Sequence, residues 1–535
     1  MIDLVQVHTI EVYMKIYSFS PFGYEGSLVS VEVDLRRGIP AVDIVGLADG
    51  AVKESRERMR SAIRNSGFEF PPERVLISLS PADLKKEGAG FDLAVAIAVL
   101  SAKEESSENR IFPDDDILVI GELELNGKVR PVKGIHAAVS TAHASGIRLC
   151  IVPAANGDEA REVFGMKVFG AENLLEAFHA LGKNDYFTEK KMSGNETLDE
   201  DITEDVVVVN GVPFTAVTPE YEYADVKEQD FFIRGLQIAA AGGHNLLAFG
   251  PPGCGKTLCI QKFPALLPLL TKEESQPVTR IYSIAGLLSP NHSVIRTSPF
   301  RQPHQTASVE GICGGGVRCT PGEISLAHNG VLFLDEAAEF KGTVLQMLRV
   351  PLESGSITLS RAGRSTVFPA RFQLLMATNP CPCGYYGFPE KLCLCSSHSV
   401  EQYWKKFSAP FLDRIDIRVQ VQKNKKSLRH LSTAELRVGI ANATVIQRER
   451  AGKKNASLSS VEIGEYCKCS EKAQLVLDAS SEKYGFSPRA VSGCLKLART
   501  IADMECKQII DEKSMLEAVL YRSVSGGIES GFGML

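Results

Sequence analysis

The octapeptide Gly250-Pro-Pro-Gly-Cys-Gly-Lys256-Thr257 constrains this chain more than any other segment. Gly250, Gly253 and Gly255 let successive backbone N–H groups converge on an anion without a Cβ in the way. Residues 245–249 read as a strand entering the loop, and the residues from Thr257 as a helix leaving it. The N-terminus of that helix turns its positive dipole end toward the same point. Strand, loop and helix in this order are the context that G-x-x-x-x-G-K-[ST] requires, so the segment predicts a phosphate cradle in an α/β fold.

The expected ligand is ATP with Mg²⁺. Lys256 would sit against the β- and γ-phosphates, and the Thr257 hydroxyl would ligate the metal. Downstream, residues 331–334 form a short apolar run that ends in Asp335 and Glu336. Asp335 is placed to hold Mg²⁺ and Glu336 to orient or deprotonate an attacking water. Residues 373–377 form a further apolar strand, after which Asn379 either positions that water or turns the chain before Pro380. Arg414 and Arg489 are candidates for stabilising negative charge in the transition state, although an arbitrary arginine is more often a surface residue.

At 535 residues the chain exceeds what one hydrophobic core supports, and two to four domains are expected. Residues 1–182 mix strands and helices: 28–35 alternate apolar and polar side chains, 74–79 read as a strand, 52–65 and 91–100 as helices. Residues 183–218 are polar and carry a run of acids, which predicts a linker. Residues 219–421 alternate strand and helix, and 422–535 are largely helical. The N-terminus lacks a basic-then-apolar signal, and the longest apolar stretch is far below the ~20 residues a membrane span needs. A cytoplasmic protein without membrane partners is expected.

A net charge of −6 gives no whole-molecule basic footprint, so any nucleic-acid contact must be local. Residues 423–454 carry nine Lys or Arg against Glu435 and Glu449, which suits either a DNA-binding surface or a solvated helix. Residues 283–325, with Arg301, His304 and the Gly-rich 311–316, look inserted. So do residues 354–366, a hairpin pattern with Arg361 and Arg364 near its tip. Those two arginines are candidates for phosphate contacts, and equally for the ATP site or a subunit contact. Thirteen scattered cysteines in a chain this long are no secreted disulfide framework. Cys381, Cys383, Cys393 and Cys395 are the exception: two C-x-C pairs, either ligands of a structural Zn²⁺ or four reduced thiols in a Gly/Pro/Tyr-rich loop.

Several longer segments carry a resemblance. They include Ile44-Val-Gly-Leu-Ala-Asp-Gly-Ala-Val52, Pro81-Ala-Asp-Leu-Lys-Lys-Glu-Gly88, Pro303-His304-Gln-Thr306 and Pro321-Gly-Glu-Ile-Ser-Leu-Ala-His328-Asn-Gly330. Phe91-Asp-Leu93, residues 239–245, Asn379-Pro-Cys-Pro-Cys-Gly384, Leu412-Asp-Arg414-Ile-Asp416 and Ala498-Arg499-Thr-Ile-Ala-Asp503 complete the set. On these the chain resembles the ComM/YifB family of Mg-chelatase-like AAA+ ATPases over nearly its whole length. The resemblance begins near Met14, so residues 1–13 read as an extension or a misassigned start.

The resemblance implies an α/β AAA+ P-loop core between a Lon-protease-like, S5-like α+β N-terminal domain and a C-terminal helical lid. It implies a ring hexamer in which Asn379 is sensor 1, Arg414 an arginine finger for the neighbouring subunit's ATP, and Arg489 sensor 2. The implied activity is branch migration of single-stranded and branched DNA during recombination or natural transformation. Remodelling of a protein or metal-insertion partner is the alternative that the chelatase likeness leaves open. In Lon-type proteases a Ser–Lys dyad occupies positions that here read Gly90 and Ala138. With neither an oxygen nucleophile nor its amine base, acyl transfer by that dyad is not possible, and an inactive scaffold is expected.

Overall fold

The computed structural model describes residues 15–523 apart from 47–49, 83, 85, 87–88, 106–114, 182, 190–205, 289–293, 318, 362–363, 389–390 and 423–430. The first body is built on a seven-stranded sheet of β1 (Ile16–Ser20), β2 (Ser27–Arg36), β3 (Val42–Val45), β4 (Arg74–Ser80), β5 (Ile117–Val119), β6 (Leu149–Pro153) and β7 (Lys167–Ala171). Their order in space is β3-β4-β2-β1-β5-β6-β7. β2 runs antiparallel to β1 and β4, and the other pairs are parallel. The period-two pattern of β2 buries Val29 and Val31 and exposes Glu32 and Asp34, as its alternation predicts.

Helices α1 (Gly50–Asn65) and α2 (Asp92–Glu105) cover that sheet. Every residue from Leu93 to Leu100 in α2 is buried, so this helix is a central spine rather than an amphipathic surface helix. The Asp92 carboxylate at its start is fully buried and accepts from Arg58 of α1 at 2.8 and 3.1 Å. A buried acid at a helix N-terminus faced by a guanidinium fork is doubly compensated.

The stretch 183–218, expected to be a linker throughout, carries structure where it is described: Phe187 is buried in the first body's core and Thr188 pairs with Val168 of β7. From Val206 it forms a hairpin of β8 (Val206–Val209) and β9 (Val212–Thr215), with Asn210 and Gly211 both at positive φ. Phe214 is fully buried under the guanidinium of Arg437, whose carbon lies 4.9 Å from the ring centroid. Burial of one Phe side chain contributes roughly 1.5–3 kcal/mol, which holds this hairpin on the body that follows.

That second body centres on a five-stranded, all-parallel sheet. Its strands are β10 (Leu246–Phe249), β11 (Phe300–Arg301), β12 (Val331–Leu334) and, after a projecting hairpin of β13 (Ser356–Arg361) and β14 (Arg364–Pro369), β15 (Gln373–Thr378) and β16 (Ile417–Gln420). They lie in the order β11-β12-β15-β10-β16. All four side chains of β12 are fully buried, as a continuous apolar strand covered on both faces requires. Among the flanking helices are α3 (Lys256–Gln261) and α4 (Lys272–Ala285).

The C-terminal part is helical: α5 (Thr433–Ala451), α6 (Glu471–Tyr484), α7 (Pro488–Met504) and α8 (Glu512–Arg522). Ser432 and Glu435 form a reciprocal capping box at the start of α5. These helices do not own a separate core. Leu436, Ile440, Leu497 and Met515 belong to the same apolar cluster as Leu246 and Val419 of the parallel sheet.

The β13–β14 hairpin docks on the first body. The Tyr24 N–H donates to Thr366 Oγ1 at 3.0 Å, and the Tyr24 and Phe368 rings meet edge to face at 5.8 Å. Arg364 stacks on Phe22, its guanidinium carbon 3.6 Å from the ring centroid. From α4, Arg280 donates to the Tyr24 carbonyl at 3.0 Å and lies over the same ring.

Candidate nucleotide site

β10 carries the chain into the loop 250–257, and α3 begins at Lys256. A Cβ on Gly250 would run into the Val421 carbonyl oxygen, so the residue just after β16 presses directly on the loop. Gly255 lies at φ 90°, a left-handed conformation that only glycine adopts freely. The far side of the loop is held by Gln229, whose buried side-chain amide donates to the Cys254 carbonyl at 2.8 Å.

Lys256 is buried, and its Nζ donates to the carbonyls of Gly250 at 2.7 Å and Pro251 at 3.0 Å. A third bond reaches Asn379 Oδ1 at 3.3 Å. Burial pushes the Lys256 pKa below its ordinary value, against the opposing pull of Cys254, Asp335 and Glu336. The Thr257 hydroxyl donates to Asp335 Oδ1 at 3.0 Å.

Strand register explains why these residues meet. Phe249 pairs with Thr378 and Leu334 with Met376, so β10, β12 and β15 end side by side. Gly250, Asp335 and Asn379 each stand just beyond the carboxyl end of one of these strands, where parallel sheets bind ligands. Glu336 is exposed, with φ 49° and ψ 46°. A left-handed glutamate costs roughly 1–2 kcal/mol, and here that conformation follows directly on the strand end carrying Asp335.

Arg414 and Arg489 are brought together, but elsewhere. Arg414 donates to Glu353 Oε2 at 2.5 Å and to the Pro410 carbonyl. Arg489, at the start of α7, donates to Glu353 Oε1 at 3.0 Å. Bonds from Arg414 and then Arg489 hold the Glu353 carboxyl below the usual carboxylate range. All three line a cavity of about 1200 Å³ that no residue of 250–257 lines, nor Asp335 or Glu336. The chain's own phosphate loop and its two candidate arginines therefore face different spaces.

Cys381, Cys383, Cys393 and Cys395 converge, with all four sulfurs within 4.8 Å of one another. Arg361 is exposed at the tip of the β13–β14 hairpin, whereas Arg364 is committed to Phe22. Arg301 is committed as well, in a fork with Glu323 at 2.6 and 2.8 Å. Among the described residues of the basic segment 423–454, part of the charge is turned inward or paired. Residues 423–430 lie outside the described residues, Arg437 is buried, Arg450 is paired with the buried Asp503 and Lys453 with Glu462. Gly90 lies in the short turn Ala89–Phe91 and Ala138 is buried in the helix Ile135–Ala144, so neither supplies a nucleophile or base. No described helix is long and apolar enough to cross a membrane.

Glu353, Gln229 and the Tyr403–Trp404 pair went unrecognised in the sequence. Tyr403 bonds Thr378 Oγ1 at 3.0 Å, and the Trp404 indole N–H donates to the Pro380 carbonyl at 2.9 Å, so the two residues flank Asn379 along the chain. The one available hint was the apolar stripe of Val400, Tyr403 and Trp404 on the otherwise polar helix Ser397–Lys405.

A five-stranded parallel sheet in this order, with a phosphate loop after β10 and a carboxylate pair after β12, defines an AAA+ P-loop ATPase core. The family described as magnesium chelatase, subunit ChlI, matches residues 222–428. Subunit ChlI of Mg-chelatase matches residues 31–156, and the ChlI C-terminal family residues 430–522. YifB of Escherichia coli K12 is 38% identical over 515 residues, 95% of this chain and 97% of that protein. The competence protein ComM of Haemophilus influenzae is likewise 38% identical, with the same coverage of both chains. A Lon protease of Chloroflexus aurantiacus is 30% identical over 145 residues, 26% of this chain and 17% of that enzyme. The chain belongs to the YifB/ComM family of Mg-chelatase-like AAA+ proteins, with a Lon-like N-terminal region. Membership in this class implies use of ATP and Mg²⁺.

Proposed function

We propose that the chain is an ATPase whose hydrolytic site is completed between subunits of a ring, a hexamer by family likeness, and that it drives branch migration of DNA. The observation that carries the first half is the Glu353 junction. Two arginines held by one carboxylate line a cavity that the chain's own phosphate loop does not share. Cations placed in this way serve a neighbour's nucleotide rather than their own.

Within one subunit, Lys256 neutralises the terminal phosphates and the loop amides orient them. Thr257 and Asp335, already hydrogen-bonded to each other, are a hydroxyl and carboxylate pair that would hold Mg²⁺, which would supply charge neutralisation at the phosphates. Glu336, at the end of the strained turn, orients and deprotonates the attacking water. Asn379, in contact with Lys256, fixes that water's position. Arg414 and Arg489 from the adjoining subunit stabilise the charge that develops during transfer. The N-terminal body, lacking the dyad at Gly90 and Ala138, acts as a scaffold.

The DNA half rests on the whole-length relative named for competence, and on Arg361 standing exposed at a projecting hairpin tip. Phosphate contacts from such a tip are independent of sequence, as a translocating motor needs. The chelatase matches along the chain favour a second reading, an ATPase that remodels a protein or metal-insertion partner. A labelled three-way DNA junction separates the two. ATP-dependent strand displacement by the native protein, abolished in Glu336→Gln, supports the motor. No displacement, together with ATP turnover indifferent to DNA, contradicts it.

A further inference from the structure

The loop after Asn379 is held differently from the rest of the ATPase body. No described residue from 379 to 396 belongs to a strand or helix. Leu392 and Leu394 stand 81% and 85% exposed, while the alternate residues Cys393 and Cys395 are half-buried. Phe388 is buried and Tyr386 packs against the core earlier in the loop, but apolar burial does not fasten the 392–395 arm, whose leucines point outward and sulfurs inward. Cys381, fully buried, and Cys383 meet those sulfurs from the other arm of the loop.

The distances distinguish the bonding modes open to four thiols. Cys381 and Cys383 sulfurs are 3.3 Å apart, Cys381 and Cys393 3.7 Å, and Cys383 and Cys393 3.4 Å. A disulfide requires about 2.05 Å. Four thiolates around zinc at ~2.3 Å stand roughly 3.8 Å apart, close to the spacing seen. All-sulfur ligation selects a soft or borderline cation, and a closed set of four leaves no position for water or substrate.

We propose that Cys381, Cys383, Cys393 and Cys395 bind one structural Zn²⁺ as thiolates, and that this metal clamps the Asn379 loop against the phosphate loop. The second part follows from what the loop touches. Asn379 accepts from Lys256, and two residues later the chain reaches the first metal ligand. Gly384 lies at φ 84° where a Cβ would stand 2.8 Å from Pro252 Cδ, so the loop bears on 250–257 directly. Loss of the metal frees the segment that carries Gly384 and with it the seat of Pro252.

The test uses the full chain purified without chelators, and the zinc half is read without DNA or nucleotide. Elemental analysis is expected to give stoichiometric zinc, lost in Cys383→Ser and Cys395→Ser and kept in Cys506→Ser, a control outside the cluster. Cobalt exchanged into the native protein is expected to show thiolate-to-cobalt charge transfer and the strong visible bands of a tetrahedral site. Zinc far below stoichiometric, or cobalt uptake without those bands, overturns the site. For the clamp, affinity for a fluorescent ATP analogue is expected to fall several-fold on metal loss, with far-ultraviolet circular dichroism retained. Unchanged affinity in zinc-free protein overturns the clamp.

Discussion

Arg414 and Arg489 are joined through a single carboxylate, Glu353, at 2.5 and 3.0 Å. If both serve a neighbour's nucleotide, Arg414→Ala lowers kcat by roughly 10³–10⁵, the range for a finger arginine. Affinity at the variant's own loop stays close to that of the native chain. Glu353→Gln is milder, a few-fold loss, because the guanidinium groups remain but are aimed less well. Steady-state ATPase assays and nucleotide titration check all three; a large loss of affinity in Arg414→Ala would place that arginine at its own loop.

Within the loop's own site the expected effects separate binding from chemistry. Lys256→Ala removes a buried cation from the phosphate cradle and abolishes nucleotide binding. Glu336→Gln keeps binding and lowers kcat by roughly 10²–10⁴, the usual range for a positioned general base. Asp335→Asn weakens Mg²⁺ dependence, visible as a right-shifted magnesium titration. Retained turnover in Glu336→Gln would assign the water to another group.

The β13–β14 hairpin gives its two arginines different tasks. Arg361 is exposed, so Arg361→Ala is expected to weaken DNA binding uniformly across sequences and to reduce the salt slope by about one per chain. Arg364 stacks on Phe22, so Arg364→Ala is expected to cost about 0.5–2 kcal/mol of docking between hairpin and first body. Faster limited proteolysis between the two bodies would report that loss. DNA affinity falling equally in both variants would contradict the division.

Two buried histidines make stability depend on pH. Burial holds His136 and His328 down at about 4, with Arg280 and Arg371 respectively adding to the effect. The unfolded chain protonates each near 6.5, while the folded chain resists until about 4. The unfolded state therefore binds more protons between these values, and stability declines as pH falls through that window, by up to ~3 kcal/mol per group. Stability from this source is complete above the unfolded pKa. His328→Asn keeps an acceptor for the Arg371 N–H, a 3.0 Å bond in the native chain, and is expected to flatten the decline. Denaturant melts at stepped pH check it, and an unaltered slope would contradict it.

The legible part of the site was the part written in consecutive residues. The phosphate loop, Asp335 with Glu336, and Asn379 each end or follow a short apolar strand, so local pattern and local chemistry coincide. Glu353 was invisible because its partners lie 61 and 136 residues away and nothing near it departs from an ordinary helix end. The β8–β9 hairpin was legible but misjudged. Its Asn210-Gly211 turn between apolar runs is a strong hairpin signal, and the acidic run before it masked that signal. In the basic segment, charge counted along the chain does not reveal that Arg437 and Arg450 face inward to Phe214 and Asp503.

The central claim, that each ATP site takes its arginines from another subunit, is tested most directly by mixing two inactive variants. Lys256→Ala lacks a working phosphate loop, and Arg414→Ala lacks the cation it lends. Co-assembled, they form junctions in which an intact loop meets an intact Arg414. Recovery of ATPase activity on mixing, well above the sum of the separate variants, is the predicted result. A mixture no more active than its parts, in assemblies shown to contain both chains, would contradict it.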